Sequence, residues 1–478
     1  MKLYINIVFL FLAASLHAQG FGSVGVLDPI SAGMANTYTT SLTGVYAVGK
    51  NPANIILDRE ENFEIATVFP FPNVGVFAGT DFISIDEINY FFGGVDNGNG
   101  ERVGRYLNAE DKDRLRQLFD RGGIVSGAFT ASLFNVVINT GRYSGTFGFS
   151  INENIASYAD LPESVVDLAL DGNPVGYSYE FNGSKINAVW MRDYTLSYAR
   201  DFRDVFRGFR NFNIGISLRY IQGFALIKSD YIKSSIVTGE EGELITSGDF
   251  LGYSAFSKDF NIEYDFDSSF VDNGSSFSTF PSPSGNGFGF DLGLSARVSD
   301  KLSFGVALTG VGSIKWNHNV AEFKSDAVLT FDDLTNKDEV DSLFDEVIGD
   351  GKFIDEITTQ LPAVLRLGVA FDVHNYFRKE NFPGTLVVAI DYNQGLNYTA
   401  IGTTKPRFSI GAEWRPAHVI PIRTGFSFGG RFGFAWSFGT GLDLGLFEFN
   451  ISAYNFRTLL MANSAEAVSF ALGSRWKF

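Results

Sequence analysis

The sequence predicts an all-β fold: a transmembrane, antiparallel, up-and-down β-barrel of about 14 strands with long structured extracellular loops. Three observations lead to it. Apolar side chains alternate with small or charged ones along many segments, the connections between those segments alternate between short and long, and the N-terminus has the pattern of a secretion signal. The 49 phenylalanines and 52 glycines among 478 residues suit strands with one face toward an apolar solvent.

The composition excludes several other classes of protein. The chain has no cysteine, so disulfide scaffolds and cysteine-based metal sites are impossible. Its formal charge of −17 disfavours a nucleic-acid partner, because a polyanion needs a basic surface. Hydrophobic residues make up 45% of the chain and charged residues 19%, which is too apolar a balance for a disordered protein.

Residues 1–18 are interpreted as a signal peptide. Lys2 supplies a short positive start, and the apolar run of residues 3–16 is too short to cross a bilayer comfortably as a helix. Cleavage is expected after Ala18, and a membrane-anchor helix is the disfavoured alternative. No cysteine follows the run, so lipoprotein anchoring is excluded.

The alternation is clear at the C-terminus, where Val468, Phe470 and Leu472 share one parity and the residues between them are small. Successive side chains of a strand point to opposite faces, so such a segment has an apolar face backed by a small or charged one. A soluble β-sandwich would alternate in the same way. The predicted strands, the first with a kink or hairpin at Pro70 and Pro72, are 63–79, 124–137, 143–152, 187–200, 210–227, 285–298, 301–316, 362–374, 384–394, 406–416, 421–429, 431–440, 443–456 and 467–478.

The connections favour the barrel over the sandwich. Four long connections, 80–123, 153–186, 228–284 and 317–361, alternate with short ones. Up-and-down strands with short turns at one end and long loops at the other are typical of outer-membrane barrels. The four long loops hold 37 acidic and 13 basic residues, so most of the negative charge is expected in water rather than against lipid.

Three short helices are expected inside these loops, and we therefore predict a structured cap. Asn108 is a predicted N-cap, followed by a helix that runs to about Phe119. Residues 161–170 and 339–348 are the other two candidates. For residues 228–284, which are rich in Ser, Gly and Asp, a mobile acidic loop is an equally good expectation.

Two N-terminal segments and four C-terminal ones carry a family resemblance. They are residues 31–39 (SAGMANTYT), 49–54 (GKNPAN), 361–363 (LPA), 391–392 (DY), 411–416 (GAEWRP) and 421–426 (PIRTGF). They resemble the FadL-type outer-membrane barrels, which include fatty acid and hydrocarbon transporters and the PorV-like accessory barrel of type IX secretion. The resemblance covers residues 20–60 and 360–478, whereas the middle of the chain looks like uncharacterised Bacteroidota members of this superfamily.

The resemblance implies fourteen strands, a hatch of residues 19–62 that fills the lumen, and a barrel of residues 63–478 that crosses the cell outer membrane many times. Gly33, Met34, Asn51 and Pro52 would belong to the hatch, with Asn51 and Pro52 forming a turn rather than contacting a ligand. In the family's transporters, an apolar ligand leaves laterally through a gap in the wall. The shared motifs are architectural, so no ligand pocket follows from them residue by residue.

No catalytic or metal-binding motif has a suitable context, so we predict no enzyme, no cofactor and no metal site. Residues 425–429 (GFSFG) match G-x-S-x-G, but they lie in an alternating strand and not at the strand-to-helix turn that exposes the serine of hydrolases. His318, His374 and His418 lack the spacing of metal ligands. Residues 96–101 (DNGNGE) resemble an incomplete calcium loop, for which a plain turn is favoured.

The inward parity of the predicted strands carries charged residues. They would either form a polar lumen that holds the hatch or guides a ligand head group, or pair with one another. Mutual pairing is favoured, because an uncompensated buried charge is costly. These residues are Arg219, Asp291, Arg297, Arg366, Asp372, Asp391, Arg407, Glu413, Arg415 and Arg423.

Two functions remain. The first is passive transport of a small hydrophobic molecule across the outer membrane, since no energy-coupling motif is visible. The alternative is a non-transporting accessory barrel that docks a secretion or assembly partner, another outer-membrane protein, through its acidic extracellular loops. A net charge of −24 on those loops would attract basic partners or divalent cations.

Overall fold

A computed structural model of the chain describes most residues after the predicted signal peptide. The signal peptide itself and the predicted helix at 339–348 lie outside the described residues. The described residues are 28–57, 61–68, 71–120, 123–206, 208–262, 264, 266, 278–325, 328–331, 351–375, 383–399, 402–430, 433–460 and 466–478.

Fourteen antiparallel strands form a closed barrel, as the sequence predicts. The first strand closes it, because Glu64 pairs with Val137 of the second strand and with Lys477 of the last. The strands are β1 (Phe63–Thr67 and Asn73–Thr80), β2 (Ile124–Asn139), β3 (Thr146–Asp160), β4 (Lys185–Asp201), β5 (Asn211–Thr238), β6 (Gly285–Arg297), β7 (Leu302–Trp316), β8 (Val364–Asp372), β9 (Thr385–Gly395), β10 (Arg407–Ala417), β11 (Ile420–Gly429), β12 (Ala435–Asp443), β13 (Phe447–Ala453) and β14 (Ala467–Lys477).

Several predicted strand boundaries are wrong. Strand β3 runs eight residues past its predicted end, to Asp160. Strand β12 ends three residues later and β13 starts four residues later than predicted, because their turn is at residues 444–446 and not at 441–442. Gly445 adopts a φ of +84°, which a tight turn needs, whereas Gly441 is extended and paired with Asn450. Strand β5 runs eleven residues past its predicted end, into a hairpin with a strand at Leu244–Phe256.

The connections are sorted by length, as the sequence predicts. The four long ones, residues 81–123, 161–184, 239–284 and 317–363, leave the same end of the barrel. We call it the long-loop end, and the opposite rim the short-turn end. The connections at the short-turn end are 140–145, 202–210, 298–301, 373–384, 418–419 and 444–446.

The long loops carry secondary structure of their own. The predicted helix after Asn108 is present at Ala109–Phe119, with Asn108 and Asp111 forming a reciprocal capping box. The predicted helix at 161–170 is present at Ser164–Asp171. A further loop helix, Ile85–Phe92, was not predicted. The short loop strands are Val95–Asp96, Arg102–Val103, Ser178–Glu180, Val320–Ser325, Val328–Phe331, Gly351–Phe353 and Ile357–Gln360.

A small cap forms where these loop helices meet. Phe82, Phe91, Leu115 and Val166 share one buried cluster. Arg116 Nε donates to Asp167 Oδ1 at 2.8 Å and so links two of the helices.

The remaining short helices of the described chain are Pro29–Gly33, Arg457–Leu460 and the 3₁₀ turns Gly44–Ala47, Pro52–Asn54, Lys258–Phe260 and Val373–Asn375.

The outer face of the barrel wall is apolar. Leu218, Phe288 and Phe408, on three different strands, are 60%, 73% and 55% exposed. The residues that alternate with them, such as Ser217, are buried and small or polar. Such a face is stable against lipid, because exposed apolar surface of this extent is costly in water. No helix among the described residues has the length and hydropathy needed to cross a bilayer.

Candidate functional site

The N-terminal segment Asp28–Leu57 is almost wholly buried and packs against the inner face of the wall. It is rich in small and polar residues and contains one short helix and two 3₁₀ turns. Asp28 caps the helix, since its Oδ1 accepts from the amides of Ile30 at 2.9 Å and Ser31 at 2.8 Å. Lys50 forms a buried ion pair with Asp28.

Glycines in the wall let this segment approach the strands. A Cβ at Gly215 would lie 2.3 Å from the carbonyl carbon of Pro52, and one at Gly411 would lie 2.6 Å from the carbonyl oxygen of Met34. Glycine inside a strand often marks such a close backbone approach. Other wall glycines that contact residues of 28–57 in this way are Gly148, Gly293, Gly305, Gly368, Gly425, Gly439 and Gly473.

The predicted turn residues Asn51 and Pro52 open the second 3₁₀ turn of the segment. The Asn51 Oδ1 accepts from the amide of Ala53 at 3.2 Å, and its Nδ2 donates to the carbonyl of Thr39 at 2.8 Å. Asn54 Nδ2 donates to the same carbonyl at 2.9 Å. These bonds fold the segment on itself. Gly33 and Met34 lie against strands β10 to β12, through Gly411, Gly425 and Gly439.

Asp391 of β9 binds the segment from the wall. Its Oδ2 accepts three hydrogen bonds, from the amide of Tyr38 at 2.8 Å, the amide of Thr39 at 2.8 Å and the Thr39 hydroxyl at 2.7 Å. Hydrogen bonds to an ionised acceptor are the strong ones. Sequence analysis placed Asp391 in the lumen but could not give these partners.

A chain of buried ion pairs lies on the other side of the lumen. Arg475 Nη1 lies 3.1 Å from Glu64 Oε1, and its Nη2 lies 2.7 Å from Glu448 Oε2. Glu64 also accepts from the amide of Val45 at 2.9 Å, so the chain of ion pairs includes the N-terminal segment. The Tyr46 ring lies under the Arg475 guanidinium, with its centre 5.4 Å from Cζ. Burial raises the pKa of the Tyr46 phenol, and the Glu448 carboxylate raises it further.

Most of the sequence-predicted lumen charges lie in ion pairs. Glu413 bridges Arg415, at 2.7 Å, and Arg423, at 2.6 Å. Arg297 lies 2.7 Å from Asp372 near the short-turn end. Arg219 lies 2.9 Å from Asp193 and 3.6 Å from Asp291. Arg366 donates to the Thr309 hydroxyl and stacks over the Tyr38 ring, 5.3 Å from its centre.

Sequence analysis missed several members of these networks: Asp28, Lys50, Glu64, Asp193, Glu448 and Arg475. Arg475 and Glu448 lie within predicted strands and on their inward parity, so the parity rule alone could have identified them. Asp28 and Lys50 carry no such signal, because the N-terminal segment has no periodicity. Arg407 has no ion pair among the described residues.

A cavity of about 180 Å³ lies nearer the long-loop end. Its apolar wall is formed by Val189, Met191, Leu226, Ile314 and Leu361, which belong to a larger buried cluster around Trp316. Its remaining lining residues are Lys228, Thr358, Thr359, Gln360, Pro362, Tyr398 and Thr399. The cavity is therefore apolar on one side and hydrogen-bonding on the other.

The sequence motifs considered for catalysis and for metals have structural roles. Ser427 lies within β11, where its hydroxyl hydrogen-bonds to the Tyr454 hydroxyl at 2.7 Å, so residues 425–429 do not form a nucleophile turn. Asp96 Oδ1 accepts from the Gly98 amide at 2.7 Å, as in an ordinary Asx turn. Within the described part of the chain, no three His, Asp or Glu side chains are grouped as metal ligands.

Comparison with known proteins gives a family and a set of similar barrels. A family of unknown function, DUF5723, matches residues 52–453. The Pseudomonas putida toluene transporter TodX is 12% identical, with 96% of this chain and 99% of that chain covered and a TM-score of 0.46. The Ralstonia pickettii toluene transporter TbuX is 12% identical, with 95% and 99% covered and a TM-score of 0.44. A Pseudomonas aeruginosa FadL homologue is 12% identical, with 96% and 100% covered and a TM-score of 0.44. No curated protein sequence matches.

Proposed function

The chain belongs to DUF5723, a family of unknown function, and we propose that it is an outer-membrane barrel that passes a small hydrophobic molecule passively across the membrane. The observation that carries the proposal is the cavity of about 180 Å³ at the long-loop end of the lumen, with Met191, Leu226 and Ile314 in its apolar wall. A dry cavity of about 150 Å³ is large enough for benzene, so this one suits a single ring or a short aliphatic chain.

The membrane placement rests on the surface of the wall and on the loops. The apolar outer face of the strands suits lipid, whereas the acidic long loops suit water. We therefore assign the long-loop end to the cell exterior and the short-turn end to the periplasm. The described loop residues give no specific observation in favour of the partner-docking alternative.

The N-terminal segment acts, in this proposal, as a hatch. Wall glycines bring residues 28–57 against at least eight strands, and Asp391 and Glu64 hold the segment by its backbone amides. An open aqueous channel along the barrel axis is therefore not the route. A ligand in the cavity would leave either after displacement of the hatch or through the wall.

The described part of the wall offers a candidate place for such an exit. Strand β1 is interrupted between Thr67, which pairs with Phe134 of β2, and Asn73, which pairs with Ser132 of β2. The Asn73 side chain spans the interruption, donating to the carbonyls of Thr67 at 3.1 Å and Ser474 at 3.0 Å. Tyr46 of the hatch donates to Asn73 Oδ1 at 3.3 Å, so this point of the wall also contacts the hatch.

Ligand binding in the cavity is the direct test. Leu226→Trp should fill the cavity and abolish binding of toluene, measured by isothermal titration calorimetry on the detergent-solubilised full chain. Leu196→Trp is the matched control, because Leu196 lies on the outer face of the neighbouring strand and is 54% exposed. A second variant, Met191→Phe, fills the same space more conservatively.

The proposal fails if toluene and hexane do not bind the wild-type chain, or if Leu226→Trp and Leu196→Trp bind equally well. Transport itself is measured in proteoliposomes by the rate at which toluene equilibrates across the bilayer. That rate should exceed the rate of protein-free vesicles and should fall with Leu226→Trp.

A further inference from the structure

We propose that Asn393, Arg407 and Ser409 form an anion-binding site in the lumen, on the long-loop side of the hatch. Strands β9 and β10 place the three side chains on the inner face of the wall, since they share parity with Asp391 and Gly411, which contact residues 28–57. The site is separate from the cavity of the proposed function and does not depend on transport.

The first argument is that buried polar atoms of these three side chains have no hydrogen-bond partner within the described part of the chain. Arg407 is only 7% exposed, yet its Nε has no hydrogen bond and no carboxylate lies within ion-pair distance among the described residues. Asn393 is 6% exposed, and neither its Nδ2 nor its Oδ1 is hydrogen-bonded. The Ser409 hydroxyl is likewise buried and unbonded. Native proteins rarely leave several adjacent groups in this state without a ligand or water.

The second argument is that Arg407 differs from five of the other lumen arginines. Arg219, Arg297, Arg415, Arg423 and Arg475 each lie within 4.0 Å of at least one carboxylate. Water can satisfy the amide of Asn393 and the hydroxyl of Ser409, whereas buried charges in proteins are normally paired, and the Asp391 carboxylate acts on Arg407 only from beyond ion-pair distance. A bound anion would pair directly with the guanidinium and would also accept from the amide and the hydroxyl.

The third argument is the positive charge that surrounds the site. Asn393 is paired in register with Arg407 on one side and with Arg366 on the other. Neighbouring strands are about 4.8 Å apart, so the Cα atoms of the two arginines lie roughly 10 Å apart. The Arg366 guanidinium binds the Thr309 hydroxyl and adds positive charge near the site. Asp391, one inward position closer to the hatch, uses its Oδ2 for the hatch amides.

The ligand chemistry follows from these groups. A carboxylate or a phosphate would accept charge-assisted hydrogen bonds from Arg407 and further ones from the Asn393 amide and the Ser409 hydroxyl. The nearby Asp391 carboxylate favours a small anion of low charge. The group can come from a free anion or from the head of an amphipathic molecule, because Leu361 and Tyr398, which line the cavity, lie just beyond β8 and β9 at the long-loop end.

The experiment measures anion binding to the full detergent-solubilised chain by isothermal titration calorimetry at low ionic strength. The probes are inorganic phosphate and octanoate, with octanol as the neutral analogue of octanoate. Arg407→Met should weaken binding by about tenfold or more, as expected for the loss of a hydrogen bond to a charged group. Arg297→Met is the matched control, because it also removes a lumen guanidinium. Arg297 lies near the short-turn end, so this variant should leave anion binding unchanged.

Each outcome of this experiment either supports the anion-binding site or overturns it. Binding of phosphate that Arg407→Met weakens supports the site and identifies a free anion as its ligand. Binding of octanoate alone, with no response to octanol, supports the site and identifies a head group. If neither anion binds, if octanol binds as tightly as octanoate, or if both arginine variants weaken binding equally, the proposal is overturned. If Arg407→Met does not fold, the double variant Asn393→Ala with Ser409→Ala replaces it and should also weaken binding.

Discussion

Residues 28–57 are the proposed hatch, and removal of the Asp391 carboxylate should release them locally. Asp391→Ala leaves the amides of Tyr38 and Thr39 and the Thr39 hydroxyl without their acceptor in a buried environment. Each bond to an ionised acceptor is worth about 1.5–3 kcal/mol, and since such terms do not add fully we expect a loss of at least roughly 3 kcal/mol in the stability of this part of the hatch.

Hydrogen exchange followed by mass spectrometry measures this loss. Because about 1.4 kcal/mol corresponds to a factor of ten, the amides of residues 37–40 should exchange roughly a hundredfold faster in the variant. Asp372→Ala is the control, because Asp372 is also a paired lumen carboxylate but has no hydrogen bond to the N-terminal segment. Unchanged exchange at Tyr38 and Thr39 in Asp391→Ala would refute the reasoning, and so would equal acceleration in both variants.

Three other predictions concern the hatch, the wall and the cap. A Cβ at Gly148 would lie 3.2 Å from Cγ2 of Val48, so the double variant Val48→Cys with Gly148→Cys should form a disulfide between the hatch and the wall. If the whole hatch must move, this disulfide should stop toluene transport, and its reduction should restore transport. Asn73→Ala should lower the free energy of barrel unfolding in urea by about 1–3 kcal/mol, because it leaves backbone groups of Thr67 and Ser474 unpaired. In the cap, the hydrogen bond from the Tyr90 hydroxyl lowers the pKa of Asp111, and the hydrogen bond from the Asn108 amide lowers it further. Asp111 therefore contributes fully to the stability of helix Ala109–Phe119 above the ordinary carboxyl pKa, and this contribution is lost as the pH falls through the lowered pKa. Faster amide exchange of that helix with acidification, after correction for intrinsic rates, checks the sign, and Tyr90→Phe should move the onset to higher pH.

The barrel could be predicted from the sequence because its rules are local. The face on which a strand residue lies can be predicted from its alternation with neighbouring residues. The end of the barrel at which a loop lies can be predicted from the order of short and long connections along the chain. The errors lie where parity is absent. Most of residues 228–253 are half-buried on both faces of the hairpin, so they show no clean alternation and their hairpin was not recognised. The turn at Gly445 was missed because Gly441, earlier in the sequence, offered an equally plausible turn.

The lumen could be predicted only in part, because parity gives the face of a residue and not its partner. Arg475 and Glu64 are separated by 411 residues, and they meet because the first and last strands close the barrel in one particular register. The contacts of Asp391 with Tyr38 and Thr39 depend on how an aperiodic segment folds inside the barrel. Sequence alone therefore indicated a charged lumen but could not separate the paired arginines from Arg407.

If the protein transports as proposed, the energetics of residues 28–57 and of the wall favour the wall as the place that opens. Displacing the hatch would break the bonds to Asp391 and Glu64, separate the Tyr46 contact with Arg475 and expose a largely buried segment, which costs far more than a few kcal/mol. Opening the wall beside the interruption of β1 would break at least the hydrogen bonds of Asn73, worth about 1 kcal/mol each. A cost of about 3 kcal/mol corresponds to an open population of roughly 1%, within the range in which minor states take part in function. If transport persists with the Val48–Gly148 disulfide closed and rises in Asn73→Ala, the ligand passes through the wall while the hatch stays in place.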